Sequence, residues 1–424
     1  MKFSSALLLL SVSMPMLAGG PCAQSSQPHP GAFSETGRQL EDEPLAENRR
    51  ELLRIAFRAA SKFPANPHHK NRGLAQEKVV VACFELAQPK LALSLAPRVE
   101  GWRRGVAYAD YAWECAKAGL AERAERHLDL AKGVAGELMA SPHAQQWRLD
   151  RIRLKMSRAW TALQQPARAA ELRDQIASTS SGAVDPDWSR ALVSSAPSRA
   201  PNAARKEVRR IIDTWDSRPL GDRYTSLMLL ASLHGAMFAN AALREQIETH
   251  AFSEILQMPA NLRLDAMACL ARNYLAADDA DGARNVLVRM TELAMTTPWR
   301  AEDRMPQMAR LVRLRAEVGD RARAEAELEK LLTQYNEQRD GIVSIYRCET
   351  LRPLALACHA LGDLSQADAL MQTALEEAVE NPNSRPRCFD LVESCIELAK
   401  HDMEPSAELH RRIIEIADGL GAPW

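Results

Sequence analysis

The stretch Leu351–Ala378, LRPLALACHALGDLSQADALMQTALEEA, decides the fold of this chain. Its first half places apolar residues on one helical face, and Gly362 then interrupts the helix before a second amphipathic segment. Ala355 and Ala367 are small, so the backbones of the two helices can approach closely at these positions. The stretch therefore predicts an antiparallel helix hairpin.

The same register recurs in segments that each begin at an arginine, namely Arg104, Arg263, Arg304, Arg347 and Arg387. Eight residues after each arginine comes a small or slim side chain: Ala112, Ala271, Val312, Ala355 and Cys395. Fifteen residues after it comes a helix-breaking Gly or Asp: Gly119, Asp278, Gly319, Gly362 and Asp402. Twenty residues after it comes an alanine: Ala124, Ala283, Ala324, Ala367 and Ala407. Weaker copies begin at Arg148 and Arg223. A single hairpin buries too little apolar surface to be stable, so the pattern predicts stacked repeats.

This pattern resembles the tetratricopeptide repeat. The matching residues in the first stretch are Ala355, Gly362, Leu364, Ala367 and Ala374, and Met308–Leu332 is the next most similar segment. The copies lie 40 to 44 residues apart, against about 34 in the family, and they lack its Trp-x-x-Leu-Gly start. The resemblance covers about residues 104–170 and 223–420. It implies an all-α, right-handed α-solenoid of stacked antiparallel helix hairpins, with the first helix of each pair on the concave face.

Composition along the chain predicts five segments. They are a signal peptide at 1–23, a flexible linker at 24–46, N-terminal helical repeats at 47–177, a linker or loop at 178–204, and C-terminal repeats at 205–424. The loop is rich in Ser, Ala and Pro, with one short helix expected over Asp187–Val193. No period-2 alternation indicates strands.

The first 20 residues have the pattern of a secretory signal. Lys2 precedes the apolar stretch Ala6–Ala18, and Gly19 and Gly20 follow it. We therefore expect a periplasmic or extracellular protein, with no integral membrane span once the signal is removed. Cys22 would be the lipid-bearing residue of a bacterial lipoprotein, but the preceding Gly-Gly-Pro departs from the usual Leu-small-small pattern.

Composition excludes several classes of protein. Of 424 residues, 46% are hydrophobic and 26% charged, which is typical of a folded chain. The 54 basic and 55 acidic side chains give a formal charge of −1, so no excess of positive charge attracts nucleic acid. The eight cysteines show no zinc-ligand spacing, and several lie in apolar helical stretches, where we expect free buried thiols.

No pattern in the sequence indicates an enzyme. Phosphate-binding loops, zinc-protease motifs and nucleophile elbows are absent, and the histidines lack partners at ligand spacing. Asp110 and Glu114 lie four apart on one predicted helix, where a solvated face is expected rather than a pair of catalytic acids. We predict no catalytic residue, no metal site and no cofactor.

Three functions fit these observations. The first is a non-enzymatic exported scaffold that binds a protein or peptide in its concave groove. The second is a secreted enzyme of the helical-toroid type, such as a glycosidase or polysaccharide lyase, although its sugar cleft would need more than 5% aromatic residues. The third is a structural component of an envelope assembly that self-associates through exposed repeat ends.

Candidate binding residues follow from the repeat register. Nine residues after the opening arginines come Trp113, Ser157, Ser232, Arg272, Arg313, Leu356 and Ile396. The residues predicted to contact a partner are Arg272, Arg313, Arg352, His359, Lys400, Trp113 and Trp160. The three arginines would form a row that grips an acidic peptide or a C-terminal carboxylate. The opening arginines have two interpretations: bonds to nearby backbone carbonyls, or an anion-binding ladder.

Overall fold

The chain forms eighteen α-helices within the ranges 40–141, 145–176 and 201–424, which are the residues that the computed structural model describes. The expected signal peptide, the linker as far as residue 39 and the short helix over Asp187–Val193 lie outside these ranges. The expected loop ends earlier than its sequence suggests, because a helix already begins at Pro201.

The helices before the undescribed segment are α1 Glu47–Ala60, α2 Ala65–Glu85, α3 Pro89–Leu95, α4 Arg103–Lys117, α5 Ala121–Met139, α6 Gln146–Ala162 and α7 Pro166–Asp174. Those after it are α8 Pro201–Asp213, α9 Leu220–Ala236, α10 Ala241–Ile255, α11 Ala260–Ala276, α12 Ala280–Thr296, α13 Ala301–Glu317, α14 Arg321–Gln338, α15 Ser344–Ala360, α16 Leu364–Val379, α17 Ser384–Lys400 and α18 Ala407–Asp418. Short 3₁₀ turns follow α3 and α14.

Most helices pair into hairpins, as the repeat pattern predicts. The helices α9, α11, α13, α15 and α17 begin 40 to 43 residues apart, and each of the first four is followed by an antiparallel partner. In the earlier part of the chain α2, α4 and α6 take the same place in their hairpins. We call these eight helices the first helices. The predicted all-α solenoid is confirmed.

One turn geometry closes the hairpins. Gly319 and Gly362 have φ of 82° and 79°, a conformation that glycine adopts without steric cost. The residue after each turn donates its backbone N–H to the carbonyl five residues earlier, as from Asp363 to Cys358 at 3.0 Å. All five residues predicted to break the first helices have positive φ. Ala87 and Gln164 make the same turn, which composition did not indicate.

Small side chains lie where first and second helices cross. The five residues eight positions after the opening arginines are fully buried, as are Ala124, Ala283, Ala324 and Ala367. Ala407 is the exception, because its side chain is exposed. The prediction fails there because α18 does not pack along α17 as a hairpin partner; α1 occupies that position.

The opening arginines bond to the backbone just before their own helix. The guanidinium groups of Arg223 and Arg347 each donate from Nε to the carbonyl five residues earlier, at 3.0 Å. Arg263 and Arg387 make contacts with the same spacing. These four arginines therefore have a structural role, since they bond to backbone carbonyl groups of the segments that connect the helices.

The two ends of the described chain pack together. On α1, Arg49 Nε donates to the Ala399 carbonyl at 2.6 Å, and the Ala59 carbonyl accepts from Cys388 Sγ at 3.3 Å. Phe63, which follows α1, lies 5.2 Å from the ring of Phe389 on α17. The N-terminal helix therefore completes the last C-terminal hairpin.

Two ion pairs show that α2 continues the stack after α17. Lys78 pairs with Glu393 and Glu85 pairs with Lys400, and the spacing is seven residues on both helices. The two helices are thus parallel neighbours, like consecutive first helices. Sequence alone suggested separate repeat blocks at 47–177 and 205–424, but helices α1 to α3 share one apolar core with α8 to α18.

Larger side chains at the helix crossings should destabilise the fold. We expect Ala324→Leu and Ala367→Leu each to lower the free energy of unfolding by about 1–3 kcal/mol, because both side chains are fully buried. Urea titration measures this effect. Ala322→Leu, at an exposed position of the same helix, should change stability by less than about 0.5 kcal/mol. Equal losses at Ala322 and Ala324 would contradict the assigned packing.

Candidate binding surface on the first helices

Several charged side chains on the first helices bond to other first helices. Glu77 on α2 contacts Arg151 on α6, past the intervening α4. Arg313 on α13 reaches His401 at the end of α17, past α15. Contacts that skip a helix are possible only on the concave side of a curved stack. These side chains therefore define an inner surface.

One part of the inner surface is a buried ion network on α2, α4 and α6. Glu77 accepts hydrogen bonds from Arg103 and, at 2.7 Å, from Arg151. Burial raises the pKa of Glu77, but these two guanidinium groups outweigh it and lower the pKa. Lys155 Nζ donates to both carboxylate oxygens of Asp110, at 2.8 and 3.1 Å. Three cations, Arg103, Arg151 and Lys155, thus bond directly to two acids, Glu77 and Asp110.

A second part, on α11 and α13, concentrates arginines. Arg310 and Arg313 are 7% and 9% exposed, and Arg310 pairs with Asp265 on α11. Arg313 Nη2 lies 3.2 Å from both ring nitrogens of His401. Burial lowers the pKa of Arg272, and the neighbouring charge of Arg310 lowers it further. Three guanidinium groups thus lie close together on the inner surface, and Asp265, Glu317 and Glu397 are the acids near them. We call Arg272, Arg310 and Arg313 the arginine cluster.

A third part lies on α15 and α17. Arg352 is 9% exposed, and its Nη1 has no hydrogen-bond partner among the described residues. Burial lowers the pKa of Arg352, but the nearby acidic groups, among them Cys348 and Glu393, raise it above its ordinary value. Burial also raises the pKa of Glu397, yet the hydrogen bond from His401 brings it down to about 2. This part holds more acids than the arginine cluster.

The structure places the predicted binding residues in different environments. Arg272, Arg313, Arg352 and Lys400 lie on the inner surface, and His359 is half-buried near Arg313 at the end of α15. These arginines lie largely within ion networks rather than on an open groove, because the stack curves tightly enough for helices two apart to touch. Whether they contact a partner stays a prediction.

The predicted tryptophans bond to cations. The guanidinium of Arg158 lies 3.2 Å from the ring centroid of Trp113, and Lys117 Nζ lies 3.8 Å from it. Trp160 stacks with Arg168 on α7, the second helix of its hairpin. Both rings pack, partly buried, against the apolar cluster of α4, α5 and α6.

Only some of the residues nine positions after the opening arginines lie on the inner surface. Leu356 and Ile396 are buried in the core, and Ser157 donates to the Ala169 carbonyl on its own second helix. Asp110, expected on a solvated face, is 8% exposed and paired with Lys155. The sequence of α4 alone does not indicate that Asp110 is buried, because its partner Lys155 lies 45 residues further along the chain.

The part of the chain that the structure describes contains neither a candidate metal site nor a helix that could span a membrane. No group of three or more His, Cys, Asp or Glu side chains there has an arrangement that could hold a metal ion. No helix there is long and apolar enough to cross a membrane. The seven described cysteines are free, and all but Cys269 are buried.

A carboxyl group on α17 should make stability depend on pH. Burial raises the pKa of Asp390 to about 7, against an ordinary value of 3.8, so the folded protein retains a proton that the unfolded chain releases. Stability from this group is present at low pH and is lost as pH rises towards 7. We expect Asp390→Asn to stabilise the protein more at pH 8 than at pH 5, by about 1–3 kcal/mol.

Urea titration at the two pH values measures this difference. Asp213→Asn, which changes an exposed carboxyl on α8, is the control. Its effect on the free energy of unfolding should be the same at pH 5 and pH 8. A pH-independent effect of Asp390→Asn would contradict a neutral Asp390 in the folded protein at pH 5.

Comparisons with known proteins give little beyond the fold. No protein-family model matches the chain, and no curated protein matches it. Among solved structures, it is similar to one described as "Circular tandem repeat protein with novel repeat topology and enhanced subunit contact surfaces". The identity is 15%, the match covers 88% of this chain and 94% of the other, and the TM-score is 0.23. At this TM-score the similarity adds nothing to the helical architecture described above.

Proposed function

We propose that this chain is a non-enzymatic, exported scaffold that binds a protein or peptide on the inner surface of its helical stack. The observation that supports this most is the arginine cluster, where Arg272, Arg310 and Arg313 bring three positive charges together at low exposure. Apolar contacts already hold the hairpins together. The arginines of the cluster are thus not needed for that packing, and they could exchange the neighbouring acids Asp265, Glu317 and Glu397 for an acid on a partner.

The chemistry of the cluster favours a carboxylate on the partner. Guanidinium groups bind carboxylates through paired N–H donors, and such bonds strengthen where water is partly excluded. An acidic side chain or a C-terminal carboxylate would take up Arg272 and Arg313 in place of Glu317, the acid that acts on both. His401, which faces Arg313, would adjust to admit the partner.

Peptide binding tests this proposal. Peptides with free C-termini are selected by display on the immobilised full chain, and their affinity is then measured by fluorescence anisotropy. We expect acidic or carboxylate-ended peptides to be enriched. Arg272→Gln combined with Arg313→Gln should weaken their binding about 10-fold or more and flatten its salt dependence.

A matched control exists on a second helix. Arg321 and Arg323 on α14 are 61% and 51% exposed, and each pairs with an acid one turn along. Their double change to Gln should leave binding intact. Arg321 also donates to the Leu361 carbonyl, so thermal unfolding must show that the control variant remains folded. Unaltered binding by a folded Arg272→Gln, Arg313→Gln variant would place the binding surface elsewhere.

Export is part of the proposal. The basic start at Lys2, the apolar stretch Ala6–Ala18 and the small residues after it support removal by a signal peptidase. N-terminal sequencing of periplasmic or extracellular protein should find a start between Gly19 and Gln24. Cytosolic protein that begins at Met1 would overturn this.

The contact between α1 and α17 also suits the alternative, a secreted enzyme of the helical-toroid type, because such enzymes close their helices into a ring. Glycosidase or lyase chemistry would require carboxyl groups on the inner surface, and Glu393 and Glu397 are the candidates there. Cleavage of polysaccharides by the full chain, abolished by Glu393→Gln or Glu397→Gln, would favour the enzyme over the scaffold.

A further inference from the structure

Large exposed hydrophobic side chains concentrate on one edge of the helical stack. We call it the junction edge, because each second helix there connects to the next first helix. The exposed residues at these junctions are Met139, Trp147, Leu220, Leu256, Met295, Val343 and Ile345. On the opposite edge Leu364 is the comparable residue among those described. On both edges one helix ends and the next begins. Helix ends alone therefore do not explain why the exposed apolar side chains concentrate on one edge.

Consecutive junctions between α8 and α16 lie side by side. Arg223 Nη1 contacts Gln257 Oε1 of the next junction at 3.4 Å. A surface depression of about 590 Å³ joins the following two junctions and is lined by residues including Glu302, Glu337 and Val343. Packed helices lie about 10 Å apart, so four junctions form an edge about 30 Å long. This length is sufficient for a protein–protein interface.

Three of the five most exposed large apolar side chains among the described residues lie along these four junctions. Leu256, Met295 and Val343 are 63%, 60% and 55% exposed, although each has the size and type of a core residue. Exposed apolar surface rimmed by polar groups commonly marks an interaction site. The edge is separate from the inner surface, so an occupant here would leave the arginine cluster free.

The charges on the junction edge favour a second copy of this chain over an anionic membrane as its binding partner. Segments 213–223, 254–263, 292–304 and 337–347 contain seven arginines and nine acidic residues. Opposite charges lie beside each other, as in the pair Arg339 and Asp340 at 3.3 Å. An anionic membrane would not be attracted to such an edge. Mixed charge around apolar side chains is instead self-complementary across a two-fold axis, where one patch meets its own copy.

We infer that the junction edge binds a second copy of this chain, in a two-fold dimer centred on Leu256, Met295 and Val343. Each apolar side chain of one copy would pack against the same edge of the other, and the depression beside Val343 would receive a side chain of the partner. Arginines on one copy would face acids on the other. This inference goes beyond the proposed function and does not depend on it.

The oligomeric state of the full chain tests the inference. Sedimentation equilibrium over a range of concentrations should show a monomer–dimer equilibrium. Leu256→Glu with Met295→Glu should weaken dimerisation at least about 30-fold, the effect of losing a central apolar contact. Circular dichroism and thermal unfolding check that the variant remains folded, which the exposure of both residues favours.

The matched control changes two equally apolar exposed residues elsewhere, Leu364 on the opposite edge and Val288 on a second helix. Leu364→Glu with Val288→Glu should dimerise like the wild type. A wild type that stays monomeric at every concentration, or a dimer that the control weakens equally, would overturn the inference. So would a monomer that sediments with vesicles through Leu256 and Met295, because the edge would then bind lipid.

Discussion

Lys155→Met should lower the free energy of unfolding by about 3–5 kcal/mol. The side chains of Lys155 and Asp110 are 8% and 11% exposed and bond to each other through both carboxylate oxygens. Removing the ammonium leaves the buried Asp110 carboxylate without its hydrogen-bonded partner, with Arg158 as the remaining nearby cation. Urea titration of the variant, followed by helical circular dichroism, measures the loss.

A double change separates the charge from the packing. Lys155→Met with Asp110→Leu removes both charges and keeps the volume apolar, so most of the stability should return. Lys117→Met breaks a pair on the same helix as Asp110, but Lys117 is 45% exposed, and we expect a loss below about 1 kcal/mol. Equal losses in the free energy of unfolding for Lys155→Met and Lys117→Met would show that the Lys155–Asp110 pair is not buried in solution.

Local features of the repeats could be predicted from the sequence because they depend on nearby residues. Gly319 and Gly362 break the first helices through backbone conformation, and Ala324 and Ala367 are small because helices cross there. The turn at Ala87 was missed since alanine gives no compositional signal for positive φ. The repeat formed by α2 and α3 was missed with it.

The inner surface depends on contacts that no single repeat contains. Arginines on α11 and α13 could be placed there from the register, but their burial arises from the curvature of the whole stack. Glu77 joins α4 and α6 through Arg103 and Arg151, and these helices have no sequence feature that indicates a shared acid. The pairing of side chains on distant helices is therefore the part of the site that could not be predicted from the sequence.

The packing of α1 against α17 is the largest departure from the linear order of the repeats. A register written along the chain assigns α18 as the partner of α17, and Ala407 fits that register by residue type alone. The exposed side chain of Ala407 and the hydrogen bond from Arg49 to Ala399 show that the N-terminal helix takes this place instead. The C-terminal repeats should therefore depend on residues at the other end of the chain.

Deleting residues 1–60 should consequently destabilise the C-terminal repeats more than the hairpins near the deletion. The deletion removes Leu52, Leu53, Ile55 and Phe57, which are at most 1% exposed. Burial of four such side chains contributes about 6–12 kcal/mol, comparable with the whole stability of a typical domain. Hydrogen exchange should become fast in α17, around Cys388 and Cys395, because the face that α1 covers would meet water.

A chain that begins at Leu40 keeps α1 and is the control; its α17 should exchange slowly, as in the full chain. Adding a peptide of residues 40–62 to the deleted chain should restore slow exchange in α17, since the missing helix can bind the exposed face from solution. Slow exchange in α17 without α1, or an effect confined to α2 to α4, would show that the C-terminal repeats are stable alone. Fast exchange at Cys395 is expected because α1, from the other end of the described chain, completes the hairpin that α17 begins.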